Sequence, residues 1–267
     1  MLVKEALRDS SPLVFLSIRF LVAGAVLLAV WRGARLSHTS LRAGLLLGVF
    51  LFVGMFLQTL GLKYTTPSKS AFLTAFSVIL VPLFLAFWGA NIRTASWLGA
   101  GLGLTGIYFL VRPSGFGTVN FGDIVTLLAA ISFAFHIILV GSRTQRFPFR
   151  QLVTVQVLAV GLLSALALPL EQGRMLRLTW PLAAIVVFTA LLGVGFCFSV
   201  QNWAQQFTPA AHAALIFSLE PVFAAIASYL VGAEQLTGMI VSGSALILAG
   251  LVVSELWGGR PPSPIES

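Results

Sequence analysis

Charged side chains are scarce in this sequence: they make up 9% of its 267 residues, and only 8 residues are acidic. Soluble domains contain about 25% charged and about 45–50% apolar residues. This chain is instead 58% hydrophobic, with a mean hydropathy of +0.99. The composition therefore excludes a soluble globular domain and predicts an all-α polytopic membrane protein.

Cysteine is almost absent, because Cys197 is the single cysteine and lies within an apolar segment. It has no partner for a disulfide within the chain, so it says nothing about the redox compartment. The motifs HExxH and GxSxG and any Cys/His metal-ligand spacing are also missing. The letters GxGxxG occur at Gly101, Gly103 and Gly106, but inside an apolar span and without a preceding strand. We therefore expect no cofactor, no metal site and no enzymatic activity.

Apolar segments long enough to cross a bilayer are abundant, since about 20 such residues suffice for a helix. We predict nine spans, all helical because unpaired backbone cannot face lipid. The Pro-rich tail, residues 258–267, is predicted to be disordered. The nine spans cover approximately Pro12–Trp31, Leu41–Leu62, Ser68–Trp88, Ser96–Val111, Asp123–Val140, Gln151–Leu170, Trp180–Trp203, Pro209–Val231 and Leu236–Trp257.

Basic residues outnumber acidic ones by 16 to 8 and lie mainly in short loops. There they set membrane orientation, so nucleic acid is not an expected partner. Two arginine-rich loops are separated by four predicted spans and are both placed in the cytoplasm, whereas the opposite loops carry Lys63 and Lys69 among others. This predicts a multi-pass protein of the plasma (inner) membrane with a cytoplasmic C-terminus. The arginines are Arg32, Arg35 and Arg42 around one loop, and Arg143, Arg146 and Arg150 around the other.

The chain repeats itself, because the segment that starts at Gln58 is echoed by the segment that starts at Gln201. In both copies a Thr-Pro step opens a helix rich in small residues, and a proline, Pro82 or Pro221, follows within the span. The copies lie five spans apart and so cross the membrane in opposite directions. Interrupted helices in an inverted repeat point to a transporter binding site at the bilayer midplane. We therefore predict helix breaks at Pro82 and Pro221.

Two further stretches that match each other are rich in glycine, alanine and serine: GAGLGLTGIYFL and SGSALILAGLVV. Small residues spaced four apart let two helix backbones approach closely within a membrane. The pairs Gly99/Gly103 and Ala245/Ala249 have this spacing. We therefore expect close helix packing at both pairs.

Glu220 stands near the middle of the span Pro209–Val231 and directly precedes Pro221. A carboxylate at the bilayer centre costs about 3 kcal/mol on insertion scales and usually faces a polar interior. Pro221 has no N–H, so the carbonyl of Phe217 loses its helical partner. Two interpretations stay open: Glu220 carries a proton or a cationic group in a central cavity, or it hydrogen-bonds to the loosened backbone.

Other polar residues within the spans also have two interpretations. Ser70, Thr74 and Ser77 share one helix face, and either line the cavity, which we favour, or bond across helices. His136 titrates near neutral pH and could relay protons, although packing is the favoured role. Arg19 lies only a few residues inside the membrane, so we favour a structural role in which its charge snorkels outward.

Polar residues near two span ends frame the Thr-Pro steps. They either orient the substrate or anchor the helices at the membrane interface, and the sequence does not separate these roles. These residues are Gln58, Gln201, Asn202 and Trp203.

Three features of the chain resemble the EamA permeases of the drug/metabolite transporter superfamily. They are the Thr-Pro-x-x-x-A-x-L helix start, the SLEPVFAAI motif at Ser218–Ile226, and the Ile18-Arg19-Phe20 step in the first span. The resemblance covers nearly the whole chain. It implies a fold of ten helices in two inverted five-helix repeats around a central cavity, and the export of small metabolites, often amino acids.

On this resemblance, residues 1–112 form the first repeat and residues 113–257 the second. The opening MLVKEALRDSSP resembles the end of the family's first helix, so most of that helix is missing and about nine spans are left. We expect a start codon that is assigned too late. A nine-span variant completed by a partner chain is the alternative.

We therefore predict a secondary-active transporter that exports a small metabolite, such as an amino acid, by alternating access around a midplane cavity. A non-transporting or partner-dependent membrane remnant is the alternative. An intramembrane enzyme has less support, because Glu220 and His136 are isolated and form no pair of nucleophile and base. The expected partners are a small-molecule substrate and the lipid bilayer, with a second copy of the chain as a further candidate.

Overall fold

The computed structural model describes residues 2–31, 37–111, 119–171, 173, 175–230 and 237–258. These residues are almost entirely helical and form no β-strand, only a single bridge between Ser10 and Leu176. A π-helix, Thr189–Phe196, joins α9 to α10. The α-helices in chain order are α1 Leu2–Ala6, α2 Pro12–Val30, α3 His38–Tyr64, α4 Pro67–Thr74, α5 Ser77–Phe87, α6 Thr94–Val111, α7 Phe121–Thr144, α8 Phe149–Ala167, α9 Trp180–Phe188, α10 Cys197–Ala204, α11 Ala210–Phe217, α12 Glu220–Leu230 and α13 Gly238–Gly258.

Local capping signals mark several helix starts. Thr66 caps α4, because its Oγ1 accepts a hydrogen bond from the Lys69 amide at 3.2 Å. Asn120 and Asp123 form a reciprocal capping box at the start of α7, with N···O distances of 3.0 and 2.9 Å. These side chains satisfy amide groups that have no partner inside the helix. They help to fix the starts of α4 and α7, which lie within two residues of the predicted span starts Ser68 and Asp123.

The described residues contain six helical segments that are long and apolar enough to cross a membrane. The prediction of a polytopic membrane protein is therefore confirmed. The three remaining predicted spans hold α6, the pair α11 and α12, and α13, and the number of crossings and the five-plus-five repeat stay predictions. Much of the predicted tail, residues 259–267, lies outside the described residues, as do Arg32 and Arg35. The six segments are Pro12–Val30, His38–Tyr64, Lys69–Phe87, Phe121–Thr144, Phe149–Leu170 and Trp180–Ala204.

Helices α6 and α13 approach each other backbone to backbone. A Cβ atom on Gly99 would lie 2.7 Å from the carbonyl oxygen of Gly250, and one on Gly106 would lie 2.5 Å from that of Gly243. Close packing at Gly99 is thus confirmed. The expectation for the α13 pair Ala245/Ala249 is wrong: both alanines are exposed, because the glycines set which face of α13 meets α6. Only glycine leaves room for this approach.

We expect Gly99→Ala to destabilise the protein by about 1–3 kcal/mol, because the added methyl group overpacks the contact with α13. Gly101→Ala is the matched control, since a Cβ atom there meets nothing within 4 Å. The thermal stability of both variants is measured by heating each one in detergent and determining the fraction that remains monodisperse. Equal stability of the two variants would contradict the close approach.

Candidate transport site

Two membrane helices are interrupted at their middle. One break, at Ala75 and Phe76, separates α4 from α5, and the other, at Ser218 and Leu219, separates α11 from α12. At each break the backbone tightens to i→i−3 hydrogen bonds, for example from the Leu219 amide to the Ile216 carbonyl at 3.0 Å. A break of this kind leaves backbone groups near the middle of a span without their regular helical partners.

The first break does not lie at the predicted proline. Helix α5 runs through Pro82 without interruption, and the break lies upstream of it at Ala75 and Phe76. A proline within a helix removes one hydrogen bond, and α5 retains its helical path despite that loss. Pro221 instead follows its break directly and lies in the first turn of α12, where an amide needs no helical partner.

The two breaks meet in space. Phe76 from the first break and Leu219 from the second pack against one apolar cluster, which contains buried Phe72 and Val222. On the neighbouring helix α6, a Cβ atom added to Gly103 would lie 3.7 Å from Ser218 Oγ and 4.0 Å from Val78 Cγ1. The sequence repeat predicts related positions for the breaks, and the fold brings them to one level in the bundle.

Glu220 is the first residue of α12, and its side chain is exposed. The thiol of Cys197, at the start of α10, is also exposed and lies within electrostatic range of this carboxylate. Both side chains are thus exposed, and Glu220 directly follows the second break. Sequence reasoning singles out Glu220 but not Cys197.

The predicted polar stripe of α4 and α5 is mostly covered. Ser70 and Ser77 are buried, and Thr74 is half-buried. Thr74 Oγ1 donates to the Ser70 carbonyl at 2.8 Å and accepts a hydrogen bond from Gln58 Nε2 of α3 at 3.1 Å. In this conformation Thr74 and Gln58 thus bond across helices, which is the second of the two interpretations that the sequence leaves open.

His136 and Gln156 form a buried polar pair between α7 and α8. The His136 ring nitrogen Nε2 lies 2.8 Å from Gln156 Oε1, and His136 is only 1% exposed. The His136 ring also packs edge-on against Phe198 of α10, with 6.1 Å between ring centroids. Sequence reasoning missed Gln156, although a lone amide deep within the apolar span Gln151–Leu170 signals a buried polar contact.

The polar residues near the end of α10 separate into inward and outward groups. Asn202 is fully buried, and Gln201 Nε2 donates to Gln205 Oε1 at 3.1 Å. Gln205 Nε2 in turn donates to the Ile137 carbonyl of α7 at 3.0 Å. Trp203 is exposed, as an interfacial anchor would be. Asn202 and Gln201 therefore take part in packing within the bundle.

Arg19 does not snorkel toward water. It is 7% exposed, and its guanidinium carbon lies 4.9 Å from the ring centroid of Phe15 and 5.1 Å from that of Phe20. Its Nη2 approaches only the sulfur of Met55 on α3, at 3.7 Å. The predicted snorkelling is wrong, because Phe15, Phe20 and Met55 surround the guanidinium and keep it buried.

A buried ion pair joins α4 to α7. Lys69 Nζ lies 2.5 Å from Asp123 Oδ2, and both side chains are less than a tenth exposed. Asp123 also accepts hydrogen bonds from Thr65 Oγ1 at 2.7 Å and from the Asn120 amide at 2.9 Å. The orientation argument assumes that Lys69 is a loop charge, but Lys69 instead lies in α4 and forms a buried ion pair. Opposite charges at the starts of two predicted spans are the signal that could have revealed the pair.

Helix α1 contacts Thr65, whose hydroxyl group is bonded to Asp123 of this ion pair. The Thr65 carbonyl accepts a hydrogen bond from Lys4 Nζ of α1 at 2.7 Å. Within the described part of the chain, no group of three or more His, Cys, Asp or Glu side chains could hold a metal ion.

The family model and the sequence relatives that match this chain are named as transporters. The model of the EamA-like transporter family matches residues 1–112 and 120–256. An uncharacterized transporter of Archaeoglobus fulgidus is 31% identical over 95% of this chain and 80% of its own length. The uncharacterized inner membrane transporter YedA of Escherichia coli K12 is 28% identical over 90% of this chain and 82% of its own length. A crystal structure with 22% identity superposes with a TM-score of 0.79, covers 96% of this chain and 91% of that one, and shows the fold alone.

Proposed function

We propose that this chain, which belongs to the EamA-like transporter family and is a multi-pass membrane transporter, is a secondary-active exporter of a small metabolite such as an amino acid. Transport proceeds by alternating access around a midplane cavity. The single observation that carries this proposal is the meeting of the two interrupted helices beside Glu220. The lipid bilayer and a small-molecule substrate are its partners.

The broken helices supply what a transport site needs. Each break frees backbone N–H and C=O groups near the middle of a span, where a substrate replaces the partners that a continuous helix would provide. Glu220, directly after the second break, adds an exposed negative charge. A carboxylate at this depth carries a proton or binds a cationic group. Together these groups form a polar site in an apolar bundle.

The larger organisation follows from the same proposal. Residues 1–112 and 113–257 act as two inverted repeats that rock against each other, and the C-terminus lies in the cytoplasm. A second copy of the chain is a candidate partner. His136, Ser70 and Ser77 are buried in this conformation and join the substrate pathway only when the repeats move.

Solute counterflow in liposomes tests the proposed function. Purified protein is reconstituted with an unlabelled amino acid inside, and uptake of the same labelled amino acid is followed across a panel of amino acids. Transient accumulation of at least one labelled compound, recovered chemically unchanged, is the expected result. Absence of counterflow for every compound favours the membrane remnant, and a chemically altered product favours an intramembrane enzyme.

The exposed thiol of Cys197 provides a built-in probe of the site. We expect Cys197 to react with a small, charged, membrane-impermeant thiol reagent, because it borders the aqueous space that Glu220 faces. In a Cys197→Ser background, Thr74→Cys is expected to react and Leu248→Cys, an exposed position in the middle of α13, to stay unreactive because lipid covers it. Mass spectrometry of the labelled protein measures the extent of labelling at each of the three cysteine positions. Equal labelling at Leu248→Cys and Cys197 would refute a common aqueous space.

A further inference from the structure

Several buried polar side chains meet around Phe198 on α10. The ring of Phe198 packs against Phe20 of α2, with 6.3 Å between centroids, and against His136 of α7 at 6.1 Å. His136 is hydrogen-bonded to Gln156 of α8. Asn202, one turn further along α10, donates from Nδ2 to the Phe198 carbonyl at 2.9 Å. We call these five residues, together with Arg19 beside Phe20, the Phe198 core.

Three atoms of the Phe198 core have no hydrogen-bond partner: Arg19 Nε, Gln156 Nε2 and Asn202 Oδ1. Each belongs to a side chain that is at least nine-tenths buried. Buried polar atoms of native proteins are almost always hydrogen-bonded, so three exceptions within one connected group of side chains call for an explanation. Two of them are donors and one is an acceptor.

The charge of Arg19 is also not neutralised by any described carboxylate. The ion pairs of the described residues join Arg8 to Glu5 and Lys69 to Asp123, and neither involves Arg19. The aromatic faces of Phe15 and Phe20 and the sulfur of Met55 offset only part of the cost of burying a cation. Arg19 is therefore a buried cation with no counter-ion among the described residues.

We propose that Arg19 binds the carboxylate of the transported substrate. A guanidinium matches a carboxylate through two parallel hydrogen bonds, which an ammonium cannot reproduce. Gln156 Nε2 supplies a further donor, and Asn202 Oδ1 accepts from an N–H or O–H group of the same substrate. This inference rests on the proposed transport function and specifies its substrate class as small molecules that carry a carboxylate near a hydrogen-bond donor.

The π-helix explains how a closed core opens. Thr189–Phe196 ends two residues before Phe198, in the same span. A π-helix has poorer backbone geometry than an α-helix and occurs mostly at functional sites. The segment therefore lets α10 shift relative to α2 and α8, so that the substrate carboxylate reaches Arg19 in one state and is enclosed in the next.

Matched probes test this inference without any mutation. Wild-type protein in lipid nanodiscs is titrated with L-lactate and neutral L-amino acids, and with the corresponding carboxamides, by isothermal titration calorimetry. We expect at least one carboxylate to bind about tenfold to hundredfold more tightly than its amide, since charge-assisted hydrogen bonds to Arg19 are lost in the amide. Absence of binding by every carboxylate, or equal affinity of the amides, overturns the inference.

Variants then locate the binding site. Arg19→Gln is expected to lose the preference for carboxylates, and Arg19→Lys to keep the charge but bind more weakly. Arg146→Gln, which removes an exposed cation beyond the end of α7, is the control with unchanged affinity. Carboxylate affinity that is unchanged in Arg19→Lys or Arg19→Gln overturns the assignment. If Arg19→Gln does not fold, Arg19→Lys and the amide comparison decide.

The outcome separates this inference from the transport function. Counterflow of a neutral or cationic compound that carboxylates do not inhibit leaves the transporter proposal in place and overturns the role of Arg19. Carboxylate binding that depends on Arg19, without counterflow of any compound, supports the site and overturns the transporter proposal.

Discussion

Replacing Glu220 with glutamine is expected to lower the transport rate by about tenfold or more, which corresponds to losing one charge-assisted interaction. Glutamine keeps the shape of the side chain but cannot bind a proton or balance a cationic group. The variant should still insert and fold, because Glu220 is exposed at the start of α12 and its replacement removes no buried contact. Initial counterflow rates at several pH values give the measurement, and the residual rate of the variant should no longer follow pH.

Glu5→Gln is the matched control for this experiment. Glu5 belongs to an exposed i,i+3 ion pair with Arg8 on α1, and exposed pairs contribute little to stability. We expect its counterflow rate to equal that of the wild type. Normal transport by Glu220→Gln across the pH range would show that Glu220 has a structural role, as the second interpretation of the sequence holds.

Removing the carboxylate of Asp123 is expected to destabilise the protein by about 3–5 kcal/mol, the usual cost of breaking a buried ion pair by deleting one partner. Asp123→Ala removes the acceptor for Lys69, for Thr65 Oγ1 and for the Asn120 amide at once. The start of α7 then loses both its ion pair and its capping box. Denaturant unfolding in detergent, monitored by tryptophan fluorescence, measures the change in free energy.

A double replacement separates the charge from the packing. Lys69→Met with Asp123→Leu removes both charges and keeps apolar volume, so it should be clearly more stable than Asp123→Ala alone. Thr65→Val deletes only one hydrogen bond and should cost about 1 kcal/mol. If the double replacement is as unstable as Asp123→Ala, the loss comes from packing at the start of α7 and not from an unpaired charge.

Much of the fold follows from local chemistry. The apolar composition determines the membrane environment, since few charged residues are left to face water over 267 residues. Capping by Thr66 and Asn120 is readable from neighbouring residues, because each cap spans only three positions. The repeat of the Thr-Pro step likewise places the interrupted helices at related positions, although Pro82 does not mark the break itself.

The contacts that decide the site could not be read in this way. Thr65 and Asp123 are 58 positions apart, and His136 and Gln156 are 20 apart, so the meeting of each pair depends on how whole helices turn about their axes. In a soluble protein, an apolar stripe reveals the buried face of a helix. Here lipid-facing and core-facing side chains are both apolar, so the pattern does not show which way Arg19 points.

The sequence by itself therefore determined the membrane environment, the helix starts, the family resemblance and Glu220 as the charge of interest. Only the tertiary structure decided that the two helix breaks meet, that Lys69 pairs with Asp123, and that Arg19 is buried beside Phe20. The physical reason is that helix propensity and burial in lipid act on each segment alone. Charge pairing and close packing act between segments and depend on how each helix is rotated about its axis. The apolar surface of a single helix does not specify that rotation.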